Sequence, residues 1–413
     1  MPLILPFRGL RPTAGNAAAV AAPPYDVLSS DEARERAAGK PWSFLHISKP
    51  EIDLPAGTDI YSPAVYAKAA ENLKKMLAAG IIARDGQACY YAYRLTMQTD
   101  AGTHVQTGLV AAAAVAAYDA GRIKKHEFTR PDKEDDRVRQ IEALNAQTGP
   151  VLLAYPTAPL ADQLLAQASA GTPDADVTAA DGIRHTIWVV RDAALIDRIT
   201  AAFDAMPALY IADGHHRSAA ASRVAATRRK DNCEQGSDHF LAVIFPHHQM
   251  KIMDYNRVVK DLNGLGESDF LAQIATRYAV TPSAGRVHPS QPGECGLYLP
   301  GRWFGIAIKP ELIPPQDPVA RLDVSLLSDH LLGPVLGIAD LRRDKRIDFV
   351  GGIRGLAELE KRVDSGEMAA AFAMHATRME DLIAVADSNQ VMPPKSTWFE
   401  PKLADGLVSH MLD

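Results

Sequence analysis

The sequence predicts an α/β to α+β protein built on mixed sheets, and three observations carry that expectation. Two segment pairs, at 89–111 and 296–308, are rich in strand-forming residues around short turns, so each predicts an antiparallel hairpin. Between the strands, apolar residues recur at helical spacing. No Gly-x-Gly-x-x-Gly follows a first strand, which argues against a doubly wound dinucleotide-binding sheet.

With 413 residues the chain has room for more than one core. Gly264-Leu265-Gly266 suggests the break, giving an N-terminal and central domain over 1–263 and a smaller C-terminal α+β domain over 264–413. A hydrophobic fraction of 47% and a charged fraction of 23% are ordinary for a soluble globular protein. The net charge of −6 implies no general affinity for nucleic acid. No apolar run is long enough to span a bilayer, and the opening MPLILPFRGLRP lacks a signal peptide's apolar stretch and cleavage pattern. Cys89, Cys233 and Cys295 are widely spaced and form no CxxC, as expected of free thiols in a reducing cytoplasm. These features fit a cytoplasmic protein with small-molecule partners; self-association is left open.

Taken in order, Ala22 to Ser29 is stiffened by Pro23 and Pro24 and leads into a helix capped by Ser30 or Asp31. Its prolines either present Tyr25 and Asp26 to a pocket or make a rigid linker. Pro41 to Ile47 alternates like a strand. Ser62 to Ala79 is an amphipathic helix, with Val65, Ala69, Leu73 and Met76 on one face and Gly80 ending it. The first hairpin turns through Thr99-Asp100-Ala101-Gly102, and its alanine-rich continuation to Ala117 either extends the strand or bends. Next come His126 and Glu127, then a polar stretch of both signs from Arg130 to Arg137 and a helix. One reading is a solvated helix start laced with ion pairs. The other makes Glu127 a general base or metal ligand beside His126, and Arg137 a phosphate contact. The pair is not HExxH, so a zinc protease site is set aside.

Strands are expected at 151–155, 185–190 and 240–245, and helices at 160–168 and 193–206. His247 and His248 read as structural turn residues, and Arg257 as a second anion contact. Beyond Gly266 come a helix at 268–277, the second hairpin, a helix at 323–332 and a short strand at 347–350. In the tail, Lys395, Ser396 and Thr397 place a charge and two hydroxyls on a proline-stiffened loop. That loop either suits a phosphorylated ligand or is simply pinned by Trp398 and Phe399.

The centre of the chain is Tyr210 to Ala221, YIADGHHRSAAA. A short apolar strand is broken at Asp213-Gly214 and followed by a strong helix. His215, His216 and Arg217 then fall in the first turn, where cations oppose the helix dipole. Three potential cations at that end predict that an anion completes the site, held by free N–H groups and Arg217. The alternative is that Asp213 caps the helix and the histidines only pack.

Four motifs in order, PPYDV (23–27), HExT (126–129), ADGHHR (212–217) and MPPKSTWFEPKL (392–403), resemble domain-of-unknown-function family 1015 over nearly the whole chain. The ADGHHR helix start is also similar, over about a dozen residues, to the phosphate-binding box of the ParB/sulfiredoxin superfamily, in which free-serine kinases carry an Asp-Gly-His box. The resemblance implies a nucleotide-binding core with Asp213, Gly214, His215, His216 and Arg217 as the phosphate box. It further implies a nucleotide-dependent small-molecule kinase using ATP or ADP with Mg²⁺, and free L-serine is the best single acceptor. The resemblance does not fix the catalytic carboxylate; from the residues themselves, Glu127 or Asp213 would orient the acceptor hydroxyl beside His126. Lys395, Ser396 and Thr397 would add phosphate contacts, and Tyr25, Asp26 and Arg257 substrate contacts. There is no Walker A motif and no protein-kinase signature. The competing readings are a nucleotide-binding regulator without catalysis and a metal-dependent hydrolase using His126, His215, His216 and His247.

Overall fold

The computed structural model describes residues 2–99, 102–229 and 236–413. Cys233 and the expected turn residues Asp100 and Ala101 lie outside them. The chain divides into two compact units, Met1–Met250 with Pro401–Asp413, and Lys251–Glu400. This division differs from a break at 263/264. Tyr255–Val259 is an interior strand of the second unit's sheet, while Ser409–Met411 returns to pair with Gly9–Pro12 in the first.

The first unit is built on a nine-stranded mixed sheet. Its strands run in the order Ile123–Lys124, Leu209–Asp213, Val151–Tyr155, His239–Pro246, Gly102–Ala114, Tyr90–Thr99, Arg184–Val190, Ala175–Thr178. The strand Ile4–Leu5 adds on Gly102–Ala114. Tyr90–Thr99 and Gly102–Ala114 form the expected antiparallel hairpin, whereas Val151–Tyr155 and His239–Pro246 run parallel. Strands buried on both faces carry near-continuous apolar runs, as in Phe240-Leu241-Ala242-Val243-Ile244-Phe245. The alanine-rich stretch ends its strand at Ala114 and bends into the helix Val115–Asp119. A four-stranded sheet, Ile82–Arg84, Gly9–Pro12, Ser409–Met411 and Ala146–Gln147, completes the unit.

Two local expectations are corrected. Pro41 to Ile47 is not a strand: it turns into the helix Leu45–Ser48, and Phe44, Leu45 and Ile47 are buried in a cluster with Ala69 and Leu73 of the helix Pro63–Ala78. Short apolar runs cannot by themselves separate strand from buried helix. The helix Ser30–Ala37 is capped by Ser29: its Oγ accepts the Glu32 N–H at 3.2 Å, and Glu32 accepts the Ser29 N–H at 2.8 Å. That reciprocal pairing is a capping box.

The second unit carries an antiparallel six-stranded sheet, ordered Tyr278–Ser283, Arg302–Ile308, Glu294–Leu299, Ala370–Met374, Tyr255–Val259, Ile347–Gly351. The hairpin expected at 296–308 is its Glu294–Leu299/Arg302–Ile308 pair. Lys251–Met253 pairs with Trp398–Glu400 in a separate ribbon. Among the described residues no helix is long and apolar enough to cross a membrane.

Candidate functional site

The strand Leu209–Asp213 pairs with Val151–Tyr155 in a register that slips between Ile211 and Asp213. A bulge of this kind re-aims a side chain at a strand end, and here it sets Asp213 beside the helix His215–Arg228. Gly214 joins the two with φ +100°, a left-handed conformation that strains any residue with a Cβ. A Cβ there would also lie 3.2 Å from the Val151 Cα and 3.1 Å from the Arg217 Nε. The helix is held from both sides. Ala221 and Ala225 face the sheet core, while Ala220 and Val224 pack on Ile141 of the helix Pro131–Leu144. Gly214 brings no capping side chain of its own; the Asp213 carboxylate accepts the Gly214 backbone N–H, and the N–H groups of the first turn have no intrahelical acceptor.

His215 is only 4% exposed, and its Nε2 accepts the His126 backbone N–H at 3.4 Å. That bond places the proton of the neutral ring on Nδ1, which faces Glu127 Oε2 at 3.7 Å. Burial, reinforced by the neighbouring His126, holds the His215 pKa well below the ordinary histidine value. His126 packs edge-on against it with ring centroids 4.5 Å apart. Burial lowers the His126 pKa to about 4, against a smaller opposing effect of the Ile211 backbone. Its Nδ1 is buried without a hydrogen-bond partner among the described residues. His216 is also shifted down by burial, and its Nε2 accepts the Arg130 N–H at 3.0 Å at the N-cap of the helix Pro131–Leu144. The three-cation expectation is therefore corrected: burial keeps both histidines neutral, and Arg217 alone is charged.

Arg217 points inward. Its side chain is 11% exposed, with Nη2 3.6 Å from Asp213 and 3.8 Å from Asp26, and Nη1 donates to the Pro150 carbonyl. Burial opposes its charge, but Asp213 and Asp26 more than compensate and raise its pKa. Burial likewise opposes ionisation of Asp213, yet Lys402 and Arg217 outweigh it and bring the carboxyl down to about 2. Lys402 Nζ lies 3.8 Å from Asp213 Oδ2. Asp213 is thus an ionised carboxylate, 38% exposed, at the mouth of the turn.

Behind the turn, Arg137 donates from Nε to Asp136 at 3.0 Å and lies over the Tyr25 ring, 3.9 Å from its centroid. Burial pushes the Tyr25 phenol up to about 12, partly offset by Arg137. A cavity of about 30 Å³ lies among Tyr25, Arg137, Gln140, Thr148, Arg217 and Asp405, room for a bound water. Asp405 is 2% exposed; burial outweighs Arg217 and pushes its carboxyl up to about 7. It arrives through a bridge in which Ala22 and Asp405 exchange backbone hydrogen bonds at 3.2 and 2.9 Å. Sequence reading assigned no role to Asp136, Lys402 or Asp405. Lys402 lies within the MPPKSTWFEPKL motif, which could have singled it out; for Asp405 the only signal is this long-range bridge.

The structure therefore gathers Tyr25, Asp26, His126, Glu127, Arg137 and Asp213 to Arg217 in the first unit. Arg257, Lys395, Ser396 and Thr397 belong to the second. Arg257 is 1% exposed, and its guanidinium donates to the Tyr255 carbonyl and, at 2.9 Å, to that of Lys395. It braces the tail loop from inside. Lys395 has φ +61° and sets its Nζ 5.6 Å from the centre of the Tyr255 ring. Ser396 Oγ donates to Pro393 at 2.6 Å, and the Ser396 carbonyl accepts from Thr377. His247 stands beside His248 in a 3₁₀ turn of the first unit. Among the described residues no group of three or more His, Cys, Asp or Glu side chains is arranged to hold a metal.

Residues 4–325 match the family described as "Protein of unknown function (DUF1015)", and the chain belongs to it. No curated protein matches. Among solved structures, the chain is similar to a free serine kinase in complex with AMP, at 15% identity and TM-score 0.36, covering 72% of this chain and 92% of that one. A conserved hypothetical protein from Pyrococcus furiosus matches at 15% identity and TM-score 0.35, over 72% and 95%. SbnI from Staphylococcus aureus, truncated at its C-terminus, matches at 9% identity and TM-score 0.35, over 72% and 85%.

Proposed function

We propose that this DUF1015 protein is a nucleotide-dependent small-molecule kinase. In this reading the Gly214 helix start receives nucleotide phosphates and Glu127 is the base for an acceptor hydroxyl. The observation that carries it is the Glu127 carboxylate, 45% exposed, facing His215 Nδ1 at a helix N-terminus where Gly214 brings no capping side chain. Helix N–H groups favour phosphate oxygens, and Gly214 lets the backbone approach without a side chain in the way. Phosphoryl transfer asks little more than positioned phosphates, charge neutralisation and an oriented nucleophile.

The acceptor's hydroxyl proton passes to Glu127 as its oxygen bonds to the terminal phosphorus, and the bond from phosphorus to the departing nucleotide oxygen breaks. His215, neutral with its proton on Nδ1, faces the Glu127 carboxylate at 3.7 Å and would orient it. Arg217 and Arg137 act from behind, holding Asp213 and Tyr25 in place rather than reaching the ligand. Mg²⁺ usually takes one or two carboxylates and completes its shell with phosphates and water. Ionised Asp213 fits that role, and the ion would neutralise phosphate charge. ATP or ADP is the proposed donor, free L-serine the proposed acceptor, and the cytoplasm the proposed setting.

The test is phosphorus NMR of the full chain with ATP or ADP against a panel of hydroxy amino acids. A new phosphate-ester resonance that requires both nucleotide and acceptor is expected. Nucleotide binding with no ester for any acceptor would leave a non-catalytic nucleotide-binding protein in its place.

A further inference from the structure

The second unit holds an open cavity of about 700 Å³, lined by the helix Asp323–Leu327, the π-helical turn Ser328–Leu332, the 339–343 segment, and Gln390, Pro393 and Pro394. Its size is that of a small-molecule site. Ser325 lies in its wall, 5% exposed, with Oγ buried and lacking any hydrogen-bond partner among the described residues. Its neighbour Ser328 takes the usual course and donates to the Val324 carbonyl at 2.7 Å. A buried hydroxyl left unpaired in a native fold calls for an explanation, and a ligand is one. Within the π-helical turn the backbone departs from regular helix: Gly333 N–H reaches the Ser328 carbonyl at 2.9 Å and Leu336 N–H the Leu331 carbonyl at 3.3 Å. Such turns recur at functional sites.

Most charges on the lining are already engaged. Asp317 accepts the N–H groups of Val319 and Ala320 at 2.9 and 3.0 Å. Asp340 accepts the Arg342 N–H at 2.9 Å and faces Arg343 at 3.7 Å. Left over are the Asp329 carboxylate and the Arg342 guanidinium, which form no ion pair among the described residues. With three carboxylates on the lining against two guanidiniums, a polyphosphate is a poor match. We propose that this cavity binds a small zwitterion, its carboxylate on Arg342, its ammonium on Asp329, and Ser325 bonded to one of its polar groups. A forked guanidinium is suited to a carboxylate. The proline wall gives the MPPKST segment a role that does not require Lys395 to meet a phosphate.

The experiment is calorimetric titration of the full chain with glycine, L-serine, L-glutamate and L-lysine, with their amides and N-acetyl derivatives, and with pyrophosphate. At least one zwitterion should bind, and both its amide and its N-acetyl form should bind about tenfold weaker or worse. Arg342→Ala and Asp329→Asn change exposed side chains, so unfolding midpoints should hold while zwitterion affinity falls by about tenfold each. Ser325→Ala should weaken binding without lowering stability. Because Arg342 and Asp329 belong to the second unit, loss of affinity in both variants separates this cavity from the Gly214 turn whether or not the kinase reading stands. The inference is overturned if no zwitterion binds, if pyrophosphate binds more tightly than any of them, or if affinity survives both Arg342→Ala and Asp329→Asn.

Discussion

The Gly214 helix start and the Lys395 loop look alike in sequence, each offering a cation and hydrogen-bonding groups on constrained backbone, but the fold uses them differently. At Gly214 the charged group turns inward onto Asp26, Asp213 and the Pro150 carbonyl, leaving the first-turn N–H groups without an intrahelical acceptor and Asp213 ionised at the mouth. At Lys395 the loop is already tied down: Ser396 bonds Pro393, Thr377 bonds Ser396, and Arg257 bonds the Lys395 carbonyl. The lesson is that an anion site is defined by donors left unspent. Residue type does not reveal how many the backbone has already consumed.

The largest effect expected from breaking this contrast is at Arg217. Arg217→Ala takes the cation from Asp26, leaves Asp213 with Lys402 alone and removes the donor to the Pro150 carbonyl, which should destabilise the protein by about 2–4 kcal/mol. Urea unfolding measures it. A loss below about 1 kcal/mol would mean that Arg217 is free to serve a ligand and is not a brace.

His126 should contribute a second, pH-dependent difference, alongside the other buried histidines His185, His215 and His410. The folded pKa of His126, about 4, lies below an unfolded value near 6.5. Acid therefore protonates the unfolded chain first, and stability present above pH 6.5 is lost as pH falls toward 4. The contribution is at most about 3 kcal/mol. Urea midpoints at about pH 7 and pH 4.5 should fall less for His126→Phe than for wild type; equal falls would refute the assignment.

Smaller again is Gly214→Ala, which forces a Cβ into φ +100° close to Val151 and Arg217. A loss of about 1–3 kcal/mol is expected, read from thermal unfolding, together with weaker nucleotide binding. The least should come from Lys395→Ala: with the loop held by Arg257, Thr377 and Pro393, nucleotide affinity should change by less than about 0.5 kcal/mol. A tenfold loss by calorimetry would restore Lys395 as a phosphate contact and erase the contrast.

Much of the fold was legible because its signals are local. Both hairpins follow from strand-forming runs around turns, and the strand–Gly214–helix unit from an apolar run, a glycine and an alanine-rich helix. What escaped is decided by long-range packing. The neutrality of His215 and His216 depends on burial beneath other segments, and the inward turn of Arg217 on carboxylates far away in sequence. Asp405 enters the site through contacts far away in sequence, among them its bridge to Ala22. The 41–47 segment misled because its apolar spacing suits a strand and a short buried helix equally.

The central claim is that Glu127, oriented by His215, takes the acceptor proton while the Gly214 turn holds the nucleotide. Single-turnover product formation by Glu127→Gln, with nucleotide titration of the same sample, tests it most directly. Glutamine keeps the shape and a polar group facing His215 but takes no proton. The rate should fall by about 10²–10⁴-fold while nucleotide affinity stays within about threefold of wild type. A Glu127→Gln protein that turns over at the wild-type rate would contradict the account.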